Sequence, residues 1–247
     1  MLLVTVPGGR SPPVVCGLNT GQHMFLDSSS LCNILSFNID SGITRTRSWT
    51  IKVTQYECGN PAIETNDDCL QYYTGTSGSF SSFNYDTTVS NAAMTTANTH
   101  LANQNYNICF RQERGFCSIC FSPATNPGSS FSISASAAAG AAQSGADSVC
   151  SGAPGAKADY IEVMNLAPAA TVSTVLNGIN RVCGNFFNAN GQTTSTTLCS
   201  AHVPFRWGVH FDDGEAVAAS AGVLDTAENA DGGGMIGFNM NWFLKAC

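Results

Sequence analysis

Cys16-Gly17 is followed by a cysteine sixteen positions on, Cys32, and Cys183-Gly184 is followed by Cys199 at the same interval. Trp49 stands nine residues before Cys58, and Phe238 stands nine before Cys247. An apolar segment ending in an aspartate fills each gap: LSFNID before Trp49, and a proline-led segment ending at Asp212 before Phe238. A framework that recurs at fixed spacing marks a repeated structural unit. Residues 16–58 therefore repeat residues 183–247, and the chain reads as the second half of one unit followed by one whole unit. The expected boundaries are 1–58 for the half unit, 59–68 for a linker and 69–247 for the whole unit.

Eleven cysteines in 247 residues point to an oxidising compartment. Metal-binding cysteines come in paired C-x2-C clusters, and only Cys117 and Cys120 have that spacing here. The whole unit holds eight cysteines: 69, 109, 117, 120, 150, 183, 199 and 247. The expected scheme joins Cys150 to Cys183, Cys120 to Cys199 and Cys69 to Cys247. Cys109 and Cys117 then face each other across the QERG turn. A Cys58–Cys69 bond across the linker is the main rival, and spacing alone leaves the choice open. In the first scheme Cys16, Cys32 and Cys58 need partners from outside the chain. The opening MLLVTVPGGRSPP has no basic n-region and too short an apolar run for a secretory signal, so the true N-terminus is expected to lie upstream.

Only 11% of residues are charged, against about 25% in an average globular protein. Lys and Arg number 10 against 17 Asp and Glu, a net charge of −7. Phosphate backbones and anionic membranes attract basic surfaces, so neither nucleic acid nor a charged membrane is an expected partner. No apolar run approaches the roughly 18 residues needed for membrane insertion. Helical periodicity is nearly absent. Short alternating segments recur instead: NILSFNI (33–39), SWTIKVTQY (48–56), LQYYT (70–74), NYNICFR (105–111), FCSICFS (116–122), SFSIS (130–134), DYIEVM (159–164), PFRWGVHF (204–211) and MIGFNMNWFL (235–244). Separated by Gly, Pro, Asn and Ser clusters, they predict an all-β antiparallel sandwich stapled by disulfides. Residues 122–147 and 213–234 read as surface excursions.

Catalytic signals are weak. Gly232, Gly234 and Gly237 have dinucleotide-motif spacing, but an acidic loop precedes them and an alternating strand follows, where the motif needs a strand and then a helix. Cys117 and Cys120 lie three apart on a strand, facing opposite sides, so they do not bond to each other and are not a redox pair. The histidines at 23, 100, 202 and 210 form no metal or nucleophile motif. No Asn-x-Ser/Thr site for N-glycans is present, and TTSTT (193–197) is the candidate for O-glycans.

Cys150, the segment Asp159-Tyr160-Ile161-Glu162 and Cys183-Gly184 are arranged as are the third and fourth cysteines of a CUB domain, which the whole unit resembles. GSFSSFNY (78–85) resembles that family's opening strand without its proline, and VHFDD (209–213) with Gly237-Phe238 resembles its closing strands. CGLNTGQHMFLD, RSWTIKVTQYEC, CLQYYTGTSGSFSSFNY, HLANQNYNICFRQERGFCSI and PFRWGVHFDD together resemble the secreted tandem-CUB proteins of arthropods, here without the N-terminal part. Against the common pattern Cys32, Cys120 and Cys199 are additions. The resemblance implies jelly-roll-like sandwiches and no catalysis. It also makes calcium the one candidate cofactor, with Asp159 and Asp212 or Asp213 as ligands from two loops; the earlier segment offers only Asp147 as a third. The expected function is a secreted module that binds an extracellular protein or its own subunits, or builds an extracellular assembly. The alternative is a calcium-dependent receptor for a small or glycan ligand; an enzyme ranks third.

Overall fold

The computed structural model describes residues 1–39, 46–60, 68–86, 100–124, 130–133, 150, 159–170, 178–184, 186–189, 194–212 and 236–247. Twelve strands and no helix occur among them. β1 (Leu2–Thr5) and β2 (Ile34–Phe37) form a two-stranded antiparallel sheet. The others are β3 (Cys69–Tyr73), β4 (Ser77–Ser81), β5 (Asn105–Phe110), β6 (Phe116–Pro123), β7 (Phe131–Ser132), β8 (Tyr160–Pro168), β9 (Ile179–Val182), β10 (Leu198–Ser200), β11 (Phe205–His210) and β12 (Gly237–Ala246). They run in the order β3-β5-β11-β8-β10-β6-β12-β4, with β7 on β12 and β9 on β8.

β8 folds this path into two layers. Its first residues, Tyr160 to Glu162, pair with β11, while Ala167 and Pro168 pair with β10. Between them Asn165 adopts a positive φ of 58°, a left-handed conformation that asparagine tolerates better than most residues. Its Oδ1 accepts the Gly178 amide at 2.6 Å, which holds the bend. One layer is then β3-β5-β11-β8-β9 and the other β10-β6-β12-β4. The period of two sends Phe238, Met240, Trp242 and Leu244 of β12 inward with Phe205, Trp207 and Val209 of β11 and Tyr106, Ile108 and Phe110 of β5, all buried. Trp207 sits at the centre, its ring 4.9 Å from Phe121, 5.1 Å from Phe80 and 5.3 Å from Phe238 in tilted and edge-on packings. The all-β sandwich is the fold expected.

Four disulfides staple it. Cys120 is bonded to Cys199 and Cys150 to Cys183. The other two expected pairs are corrected: Cys69 bonds Cys109, and Cys117 bonds Cys247. The reason is topological. β5 and β6 do not form a hairpin; the QERG turn carries the chain from one layer to the other, taking Cys117 away from Cys109. β3 lies parallel to β5 with Tyr72 beside Cys109, which brings Cys69 within reach, and β12 runs along β6 so that Ala246 meets Phe116 beside Cys117. The rival Cys58–Cys69 bond is absent; Cys16, Cys32 and Cys58 are exposed free thiols.

Residues 1–26 lean on the large sandwich. The Phe25 amide donates to the Leu70 carbonyl at 2.7 Å, the Gln22 side chain donates to Ser81 Oγ at 3.0 Å, and Val15 joins the main core. Leu2 pairs with both Phe37 and Val15, as Ile161 pairs with both Val209 and Val182. Val15 precedes Cys16-Gly17 and Val182 precedes Cys183-Gly184, and both glycines have positive φ, 73° and 87°. Against expectation, SWTIKVTQY (48–56) joins no sheet. It pairs with no strand among the described residues, and its link to β2 is the stacking of Trp49 on Phe37 at 4.6 Å.

Candidate functional site

The pairing of His210 with Tyr160 places the end of β11 and the start of β8 at one end of the sandwich. Asp159 and Asp212, expected to act together, therefore adjoin. Asp159 Oδ1 accepts the Asp212 backbone amide at 2.7 Å. Its Oδ2 lies 3.4 Å from His100 Nε2, and neither side chain reaches solvent. His100 in turn packs its ring 4.1 Å from Phe211 and brings Nε2 within 3.2 Å of the Ile133 carbonyl. A carboxylate and an imidazole, both dry and both engaged, tie three loops together. Calcium asks for six to eight oxygen ligands. The described donors do not make such a shell: one Asp159 oxygen is taken by the Asp212 amide, and no three His, Cys, Asp or Glu side chains converge as metal ligands among the described residues. Asp213 and Asp147 lie outside the described residues, as do Gly232, Gly234 and the acidic 213–234 segment.

The second gathering of polar groups is on the open face of the β5-β11-β8-β9 sheet. Here Asn107, Arg206, Gly208, His210, Glu162 and Arg181 share one side, opposite the inward aromatic row. Gly208 is the floor of a shallow cleft of about 50 Å³. A Cβ there would lie 3.1 Å from His210 Nε2, 3.4 Å from Asn107 Oδ1 and 3.4 Å from Glu162 Cβ, so only glycine leaves the depression open. Met164, Ser200, His202 and Arg206 complete its walls. Ser200 Oγ is held by the Met164 carbonyl at 2.5 Å. Arg206 Nε is out of solvent and has no hydrogen-bond partner among the described residues.

Beside the cleft, Glu162 lies 3.6 Å from both Arg181 and His210. The Tyr160 ring stacks on His210 at 4.6 Å and carries Arg181 on its other flank, 4.5 Å from the centroid. Burial lowers the proton affinity of His210; Glu162 opposes that and Arg181 adds to it. His23, at the N-terminal contact, is also lowered by burial. Its Nε2 accepts the Tyr72 amide at 3.2 Å, a role open only to the neutral ring. His202 lines the same cleft. Cys117 and Cys120 go to separate bridges. Gly237 opens a strand rather than a helix, in a positive φ of 89°.

The cleft was not marked by any motif. PFRWGVHF reads as a strand, and its alternation does reveal that Arg206, Gly208 and His210 share the face opposite Trp207. What sequence cannot reveal is that Glu162 and Asn107 flank that glycine, since this needs the strand order.

No helix among the described residues is long and apolar enough to cross a membrane. No curated protein matches the chain. The animal CUB domain family matches residues 66–245, which takes in the strands of the large sandwich up to the next-to-last residue of β12 and three of the four disulfides, Cys247 lying two residues beyond. The chain belongs to the animal CUB domain family.

Proposed function

We propose that this protein is a secreted, non-catalytic module that holds another extracellular protein on the open β5-β11-β8-β9 face, in a binding complex or a structural assembly. CUB domains are extracellular protein-binding modules, and the four disulfides agree with that compartment. The observation that carries the reading is the Gly208 cleft. It offers a guanidinium with an unused donor, a glycine floor and an exposed methionine on a rigid sheet. Arginine with a spare, desolvated donor suits a partner carboxylate or backbone carbonyl.

The test is affinity capture from the protein's own extracellular fluid with the wild-type chain and Arg206→Ala, after checking that both melt alike. A partner recovered by the wild type and reduced at least tenfold by the substitution agrees with the reading. Equal recovery by both chains removes the cleft from it. A calcium-dependent receptor is the alternative, and its support is the adjacency of Asp159 and Asp212.

A further inference from the structure

We infer that residues 1–58 present an interaction surface for a cysteine-bearing polypeptide segment foreign to residues 1–247. That segment would be built like residues 69–150 and disulfide-bonded to Cys16, Cys32 and Cys58.

Leu2 takes Phe37 and Val15 as Ile161 takes Val209 and Val182, so β1, β2 and the Val15 segment reproduce β8, β11 and β9. In the large sandwich β11 has β5 on its other edge. β2 pairs with β1 alone among the described residues, so the edge corresponding to β5 is open.

Side-chain exposure follows the same correspondence. Counting back from Cys58 and Cys247, Trp49, Ile51 and Val53 stand where Phe238, Met240 and Trp242 stand in β12. The β12 residues are 0%, 0% and 1% exposed; their counterparts are 53%, 44% and 73% exposed. The β12 strand is held between β6 and β4. Residues 48–56 have neither, which is why an alternating apolar segment lies outside any sheet. An exposed row of this kind, with an open strand edge nearby, is a template for β-addition.

The thiols identify the occupant. Cys16, Cys32 and Cys58 correspond to Cys183, Cys199 and Cys247, which bond Cys150, Cys120 and Cys117. Every missing partner, strand and cysteine alike, maps to the stretch that contains β4, β5 and β6. The occupant therefore carries a C-x2-C pair followed by a third cysteine about thirty residues on, a spacing taken from Cys117, Cys120 and Cys150. A second copy of this chain does not fit, because its own three are already bonded.

Each bond forms by thiol–disulfide exchange with a protein or small-molecule disulfide of the oxidising compartment. The thiolate of Cys58, for example, attacks that disulfide, and the partner thiolate then displaces the carrier. Two protons and two electrons per bond leave as two carrier thiols.

The experiment is peptide mapping of native material, alkylated at low pH before any reduction and digested with its disulfides intact. The expected result is Cys16, Cys32 and Cys58 each linked to a cysteine peptide absent from residues 1–247. Recovery of any of the three as an alkylated thiol overturns the proposal. So do bonds among the three, or bonds to a second copy. The proposal does not depend on the Gly208 cleft, whose test uses a different variant and readout.

Discussion

Asp159 accepts the backbone amide of Asp212 at 2.7 Å, across the gap between the strand that begins after one residue and the strand that ends before the other. This bond turns a conspicuous acidic pair into a structural tie. Asp159→Ala leaves the Asp212 amide without its acceptor and His100 without its carboxylate in a dry site. An orphaned buried donor costs about 1–3 kcal/mol, and at this chain length each kcal/mol lowers Tm by roughly 2–4 °C. A thermal melt of the Ala variant should therefore drop by several degrees. Asp159→Asn, which keeps an acceptor oxygen, should fall less.

Calcium gives the complementary measurement. An ion bound only by the folded state raises Tm through mass action. Since the Asp159 oxygens face the Asp212 amide and His100, millimolar calcium and chelator should give the same melt. A calcium-dependent rise would show that donors beyond the described residues complete a site, and would favour the receptor reading.

The pH dependence has a definite sign. His23 and His210 both bind protons more weakly in the folded protein than at the ordinary value of 6.5. The unfolded chain therefore binds more protons once pH falls to that value. Their contribution is fully present above about 6.5 and is lost as pH falls through the lowered folded values. Melts from pH 7.5 to 5 should show decreasing Tm. His23→Gln should flatten the slope; an unchanged slope would show that the Tyr72 contact does not depend on the neutral ring.

Gly208→Ala tests the cleft from below. The added methyl lies 3.1 Å from His210 Nε2 and fills the depression without entering the aromatic core on the opposite face. Partner capture should fall together with that of Arg206→Ala, while the melt stays within a few degrees of wild type.

Most of the sandwich was readable from alternation alone, because inward Phe, Trp and Ile at period two leave few other folds open. β1, β9 and β10 escaped notice, as three or four residues carry little period. SWTIKVTQY shows the converse: alternation is a property of the segment, but a strand also needs neighbours. The disulfides divide the same way. Cys120–Cys199 was expected as the bridge added to the pattern that the resemblance implies, whereas Cys69–Cys109 depends on a parallel β3-β5 contact that no local pattern announces. At the candidate site, the closeness of Asp159 and Asp212 was legible from the resemblance, but His100 beside them was not, since it comes from a distant loop with no motif around it.

The most direct test of the binding reading is hydroxyl-radical footprinting of native material against the isolated chain. Met164 at the cleft is 46% exposed, and Phe243 on the other layer is 39% exposed and serves as the control. Met164 oxidation should fall severalfold in native material while Phe243 oxidation is unchanged. Equal oxidation of Met164 in both samples would contradict the binding reading.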